Sequence, residues 1–288
     1  MEYNRKSIRH RILVTLIVIF LIIYMIPIYW ILATSIKPKT EIFSIPPKFI
    51  FVPTLEHYRN LFVDKDTGKL TPYPGQLMNS VIVGFLSTFF SVLLGTLAGY
   101  AFSRFRVKGK NDWLFFILST RMLPPIVVVI PVFLMYRWVS MHTPLQLIDT
   151  RTGLILLYTA FNVSFAVWLM KGFIEEIPRD YEEAAMVDGY TRFQAFYKVV
   201  LPQAVTGIAA TAVFCLITAW NEFAFALVLT TQNARTAPPS IANMLGTGGL
   251  DWGRIAAGTV VFLLPVAIFT FLVRNHLLRG VTFGAIRR

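Results

Sequence analysis

The side chains that could do chemistry in this chain are few, and most lie at hydrophobic depth. Glu222, with Asn221 beside it, interrupts one apolar stretch, Arg121 interrupts another, and Asn162 with Ser164 a third. Polar groups inside such stretches face a cavity or another helix, because hydrocarbon solvates them poorly. An uncompensated carboxylate there is costly or becomes protonated, so Glu222 needs a partner: Arg121, a polar helix neighbour, or cavity water. An ion pair with Arg121 would be structural. As binding groups, Asn162, Asn221 and Glu222 could hydrogen-bond a polar solute while Trp220 or Phe223 offered a flat face. The residue types leave both readings open. Acid–base catalysis within the membrane would want paired acids or a His/Asp cluster, and Glu222 is the one clear acid in these stretches. Cys215 is the single cysteine and the four histidines are scattered, which excludes an intrachain disulfide and a cysteine metal cluster and argues against zinc. There is no G-x-x-x-x-G-K-[ST] phosphate loop, so the chain has no ordinary means of cradling ATP. It does not read as an enzyme.

The elements that must position these residues follow from composition. Of 288 residues 56% are hydrophobic and only 15% charged, with a mean hydropathy of +0.62; soluble chains carry about 25% charged residues. A soluble globule is excluded. A span needs roughly 20 predominantly apolar residues, and stretches at 12–33, 80–102, 113–136, 153–170, 204–229 and 255–273 meet or approach that length. Uniformly apolar runs of this size are helices rather than barrel strands. An all-α membrane protein of six transmembrane helices is expected, with connections too short for an independent catalytic domain. The net charge of +12 fits lipid-facing basic loops better than nucleic acid. The Lys/Arg bias places Arg5, Lys6, Arg9, Arg11, Arg104, Arg106, Lys108, Lys110 and the end of the chain on one side, which makes both termini cytoplasmic. Gly95-x-x-x-Gly99 permits close helix approach, and Pro124, Pro125 and Pro131 would bend the third span.

The connection at 171–207 differs from the others. Pro178 suits a first helical position, Glu182, Glu183, Ala184 and Ala185 continue a helix, and Gly189 fits a left-handed stop. Thr191 and Gln194 form a capping-box pattern for a second helix, along which Phe193, Phe196, Tyr197, Val200 and Leu201 recur at helical spacing. Pro202 closes it. Ala184 and Ala185 allow close approach, and Glu182, Glu183 and Asp188 offer charges to basic partner residues. An interfacial helix lying on lipid would want a basic polar face, whereas acidic residues outnumber basic ones here. That favours protein docking.

The run Glu183-Ala184-Ala185, three residues, Gly189, nine residues, Val199, one residue, Leu201-Pro202 resembles the EAA loop of ATP-binding-cassette importer permeases, with Val199 where isoleucine is customary. Nearly the whole chain is similar to the smaller permease subunit of maltose/trehalose-type carbohydrate importers. Ser35-Ile-Lys-Pro38, Leu97-Ala-Gly-Tyr-Ala-Phe-Ser-Arg-Phe105, Gly172-Phe-Ile-Glu-Glu-Ile-Pro178 and Trp220-Asn-Glu-Phe223 look like that subunit's landmarks.

The resemblance implies a type I importer permease fold, one transmembrane domain over residues 1–288 in a bacterial inner membrane, and a coupling loop at 171–203. It implies that Glu182, Glu183, Ala184, Ala185, Asp188, Gly189, Phe196, Leu201 and Pro202 couple to an ATPase subunit dimer. That dimer would carry ATP and Mg, with no cofactor on this chain. A second homologous permease would complete a sugar path touching Asn162, Trp220, Asn221 and Glu222. An extracytoplasmic sugar-binding protein would receive a loop finger containing Gly246, Thr247, Gly248, Gly249, Asp251 and Trp252; as plain sequence, that segment reads equally as a flexible turn. The alternative, an ion-coupled secondary transporter or channel subunit, would want midplane coupling residues and repeated span groups, and no such repeat is visible.

Overall fold

The computed structural model describes residues 2–65, 67–246 and 249–283. Its elements are α1 (Glu2–Ile36), α2 (Glu56–Phe62), α3 (Tyr73–Arg104), α4 (Lys110–Met122), α5 (Pro125–His142), α6 (Arg151–Glu175), α7 (Asp180–Val187), α8 (Arg192–Gln203), α9 (Val205–Trp220), α10 (Ala224–Leu229), α11 (Ala237–Ala242) and α12 (Trp252–Phe283). A hairpin of β1 (Leu245–Gly246) and β2 (Gly249–Leu250) precedes α12. Among the described residues, five helices are long and apolar enough to cross a membrane, and six spans result if the bent pair α8 and α9 counts as one. The protein is a helical membrane protein, as composition requires.

Two of the stretches read from sequence as single spans are broken. The 113–136 stretch is divided between α4 and α5, because Pro124 holds the preceding Leu123 extended (φ −69°, ψ 123°) and Pro125 opens a new helix. The 204–229 stretch is divided at residues 221–223 into α9 and α10.

By its contacts the chain, read from sequence as one domain, forms two compact units: residues 1–74 with 241–263, and residues 75–240 with 264–288. In the first, α1 has an apolar window of mean hydropathy 2.8 with none of it buried inside the protein. The segment after α1 is pinned by Lys37, whose ammonium donates to the Lys48 carbonyl (2.8 Å) and lies 5.0 Å from the rings of Trp30 and Phe51. Tyr73 donates to the Gly258 carbonyl (2.7 Å), joining the start of α3 to α12.

The second unit is built around α6. Its buried residues Leu154, Tyr158, Asn162, Ala166, Met170 and Ile174 fall on one face at four-residue spacing. α3 lies against that face so closely that a Cβ on Gly95 would sit 2.4 Å from the Ala166 Cβ, and one on Gly99 2.8 Å from the Lys171 nitrogen. Glycine at both positions is what lets the backbones meet. One apolar cluster gathers Val83, Val129, Tyr136, Leu157, Phe225 and Leu229. A second gathers Tyr100, Met170, Ile174, Ile177, Phe196 and Val200 beneath α7 and α8.

Candidate functional site

Both helix breaks open onto one cavity of about 500 Å³, lined among others by Arg121 and Leu123 from the first break, Tyr158 and Asn162 from α6, and Asn221, Glu222 and Phe223 from the second. The second break is explained by its own carboxylate. Glu222 Oε1 accepts from the Phe225 amide (2.8 Å) and Oε2 from the Ala226 amide (3.1 Å), so the side chain supplies the partners that the first turn of α10 lacks. Oε2 also accepts from the Tyr158 hydroxyl (2.6 Å). The partner of Glu222 is therefore its own following helix and Tyr158. Among the described residues Arg121 makes no ion pair; its guanidinium reaches the Phe161 carbonyl (3.4 Å) and Asn162 Oδ1 (3.5 Å). The Glu222–Arg121 pair considered from sequence does not form.

Asn162 is held in place by Thr218, which donates to its Oδ1 (2.7 Å), and by its own donation to the Cys215 carbonyl (3.2 Å). Asn221 is exposed and folds its amide back onto the Ile217 carbonyl (2.8 Å). Phe223 lines the cavity and offers the flat face. Trp220 does not: it is 2% exposed and packs on Gly84, where a Cβ would stand 3.3 Å from its ring. The cavity thus presents a guanidinium, two carboxamides and an aromatic face, a set suited to a polar solute.

The 171–203 segment is organised on both of its sides. α7 ends in a Schellman arrangement, with Gly189 at φ +94°, its amide donating to the Met186 carbonyl (3.1 Å) and the Tyr190 amide to the Ala185 carbonyl (3.0 Å). Thr191 and Gln194 then close a reciprocal capping box at the start of α8. A π-helical turn at Phe196–Val200 follows, and a 72° bend leads into α9.

The segment's residues divide by exposure. Glu183, Ala184, Asp188, Gly189 and Pro202 are exposed and Leu201 is half-buried, while Val187 and Phe193, apolar and 87% and 73% exposed, stand out from the same surface. Ala185 and Phe196 are buried in this chain's own core. Glu182 is a correction to the sequence reading, which placed it among charges facing a partner. It is 6% exposed, ion-paired with Arg104 and hydrogen-bonded by Tyr100 (2.9 Å). Arg104 continues to the Ile177 carbonyl (2.8 Å), and Arg179 reaches the Ser103 carbonyl (2.8 Å). A carboxylate neutralised inside its own chain has no charge left to offer a neighbour.

Sequence reasoning missed a polar knot at the far end of α3. Asn79 donates to the Asn233 and Arg235 carbonyls (2.9 Å each) and accepts from Arg151 (2.7 Å), and Ser80 accepts from the Ala237 amide (2.8 Å). Beside it Asp149, at φ +54°, accepts from Thr231, Gln232, Asn233 and Ala234. Burial pushes its carboxyl up, but these hydrogen bonds outweigh that and draw its pKa down to about 2. No local motif announces a loop cap whose donors lie some eighty residues downstream.

The finger read from sequence near residue 250 is a hairpin, with Leu245 paired to Leu250, Gly246 to Gly249, and Gly249 at φ +108°. Thr247 and Gly248 lie outside the described residues. Asp251 caps α12 by accepting from the Arg254 amide (3.2 Å) and is 3.9 Å from the Lys39 ammonium, and Trp252 is 48% exposed.

Residues 91–282 match the family described as binding-protein-dependent transport system inner membrane component. The trehalose transport system permease protein SugB of Mycobacterium tuberculosis is 35% identical over 268 residues, covering 91% of this chain and 92% of its own. The trehalose/maltose transport system permease protein MalG of Thermococcus litoralis is 30% identical, covering 98% and 99%. A chain of a bacterial ABC transporter importing the acidic polysaccharide alginate shares the fold at a TM-score of 0.73 and 22% identity, covering 94% of this chain and 97% of that one.

Proposed function

The chain belongs to the family of binding-protein-dependent transport system inner membrane components, and from that premise we propose that it is one permease half of an ATP-driven carbohydrate importer. The trehalose and maltose systems named for its relatives support a sugar as cargo. In this reading both termini are cytoplasmic, and a second, homologous permease completes the cavity at the two helix breaks. An ATPase dimer, carrying ATP and Mg, docks on the 171–203 segment. A sugar-loaded binding protein receives the hairpin and the exposed Trp252.

The observation that carries the reading is the outer surface of α7 and α8. Val187 and Phe193 stand exposed beside Glu183 and Asp188, on a scaffold whose inward residues are fully occupied. Apolar side chains rimmed by acids fit a protein cleft with basic residues better than an anionic lipid surface. Glu183 is the acid of this face that the family motif singles out. The assembled complex should retain an ATPase subunit through purification and take up sugar into vesicles only with ATP and loaded binding protein. Glu183→Lys should lower both ATPase retention and uptake. A pure chain that hydrolyses ATP, or a Glu183→Lys complex with normal retention and uptake, would overturn the proposal.

A further inference from the structure

We propose that α3 is a rigid strut that carries movement of the 171–203 segment to the 231–237 segment at its other end, with Glu182 and Asn79 as the positioning residues that fasten it. The inference rests on the reading above, in which 171–203 is the ATPase dock.

Each end of α3 is clamped by a different polar arrangement. At the Arg104 end, Glu182 on α7 takes the Arg104 guanidinium and the Tyr100 hydroxyl, while Arg179 bonds the Ser103 carbonyl. The ion pair is buried, so separating its members would strand a charge in a poorly solvating interior, which is far costlier than parting a surface pair. α7 cannot move without taking the end of α3 with it. At the other end, three hydrogen bonds occupy the Asn79 carboxamide, two of them to carbonyls of the 233–235 chain, and Ser80 holds Ala237. Asn79 and Arg104 are separated by 25 helical steps, about 38 Å at 1.5 Å each.

The helix between them is built to transmit displacement. From Gly75 to Arg104 it contains no proline, whereas α1, α5 and α12 carry Pro27, Pro131 and Pro265 inside them and the third and fifth apolar stretches are broken. Proline removes a backbone hydrogen bond and invites bending. α6 shares the unbroken character, and the Gly95 and Gly99 contacts brace α3 along it. Arg151 at the start of α6 bonds Asn79, so the braced pair ends on the same knot.

The test uses the complete transporter purified with its ATPase, and ATP with vanadate as the probe, so no sugar need be known. Hydrogen exchange is followed at the amides of residues 231–237. In the wild-type complex, trapping the nucleotide should change their exchange about fivefold or more, the lower end of ordinary allosteric coupling. In Glu182→Gln and in Asn79→Ala that nucleotide-dependent change should fall below about twofold, and the double variant should lose no more than either single one, since the two act in series. The exchanged pair Arg104→Glu with Glu182→Arg should recover part of the response. If Glu182→Gln does not assemble, Asn79→Ala decides, because it lies at the opposite end from the dock. A wild-type complex with no response at 231–237, variants that respond like wild type, or additive losses would overturn the strut. A wild-type chain that retains no ATPase would instead overturn the functional reading beneath it.

Discussion

At the scale of single residues, the cavity assigns distinct tasks to Glu222 and Arg121. Because the Glu222 carboxylate serves two backbone amides and the Tyr158 hydroxyl, Glu222→Gln turns one acceptor into a donor facing a donor. That should lower the stability of the purified complex by about 1–3 kcal/mol, the usual cost of a buried unmet hydrogen bond. Arg121 makes no ion pair with it, so the effects of Arg121→Gln and Glu222→Gln on thermal unfolding should add to within about 0.5 kcal/mol; strong coupling would show that the two side chains communicate. Asp149 gives a pH prediction. Its pKa is lowered in the folded protein to about 2 from an ordinary 3.8, so the stability it contributes is present above the ordinary value and is lost as pH falls from about 4 through about 2. Exchange at the Thr231 and Ala234 amides should quicken across that window, and Asp149→Asn should show the faster exchange already at neutral pH. Glu182 and Glu183 show what sequence cannot say about such residues. They are adjacent and chemically alike, and only a packing partner 78 positions away, Arg104, makes one internal and leaves the other for a neighbour.

At the scale of elements, legibility depended on how local the cause was. The helix–glycine–helix pattern at 178–202 was readable because a Schellman stop and a capping box are written within a few residues of each other. Gly189→Val should strain the φ +94° turn by about 1–2 kcal/mol or more and deprotect the Tyr190 amide, while Gly189→Asn, which tolerates that region, should preserve it; equal protection in both variants would contradict the assignment. The break at Pro124 was half legible, since prolines in the third stretch pointed to a bend but not to two separate helices. The break at residues 221–223 was not legible as a break. Its cause is a side-chain cap on α10 completed by Tyr158 in another helix, and the polar pair Asn221-Glu222 marks the place in the sequence without saying that the helix stops there. The apolar stripe on α8 likewise mixed two surfaces: Phe196 and Val200 go inward, and Phe193 and Tyr197 stay out.

At the scale of the whole molecule, the number of spans was legible because hydrocarbon thickness sets a one-dimensional length requirement. What joins them was not, because long-range polar knots such as Asn79 with residues 233–235 leave no periodic trace. α1 carries one more consequence, and it concerns how the protein is made. A helix that buries nothing of its apolar window inside its own chain owes none of its transmembrane state to packing against the chain's other helices. It is therefore a complete unit for the insertion machinery as soon as it leaves the ribosome, before the cavity-lining helices exist. Residues 1–40 fused to a glycosylatable reporter should integrate into microsomes as efficiently as the same segment in the full chain. The broken 113–136 stretch, lacking one continuous helix and holding Arg121, should integrate poorly when fused in the same way. Biogenesis would then run from a self-sufficient anchor to helices that remain in the membrane only through their neighbours.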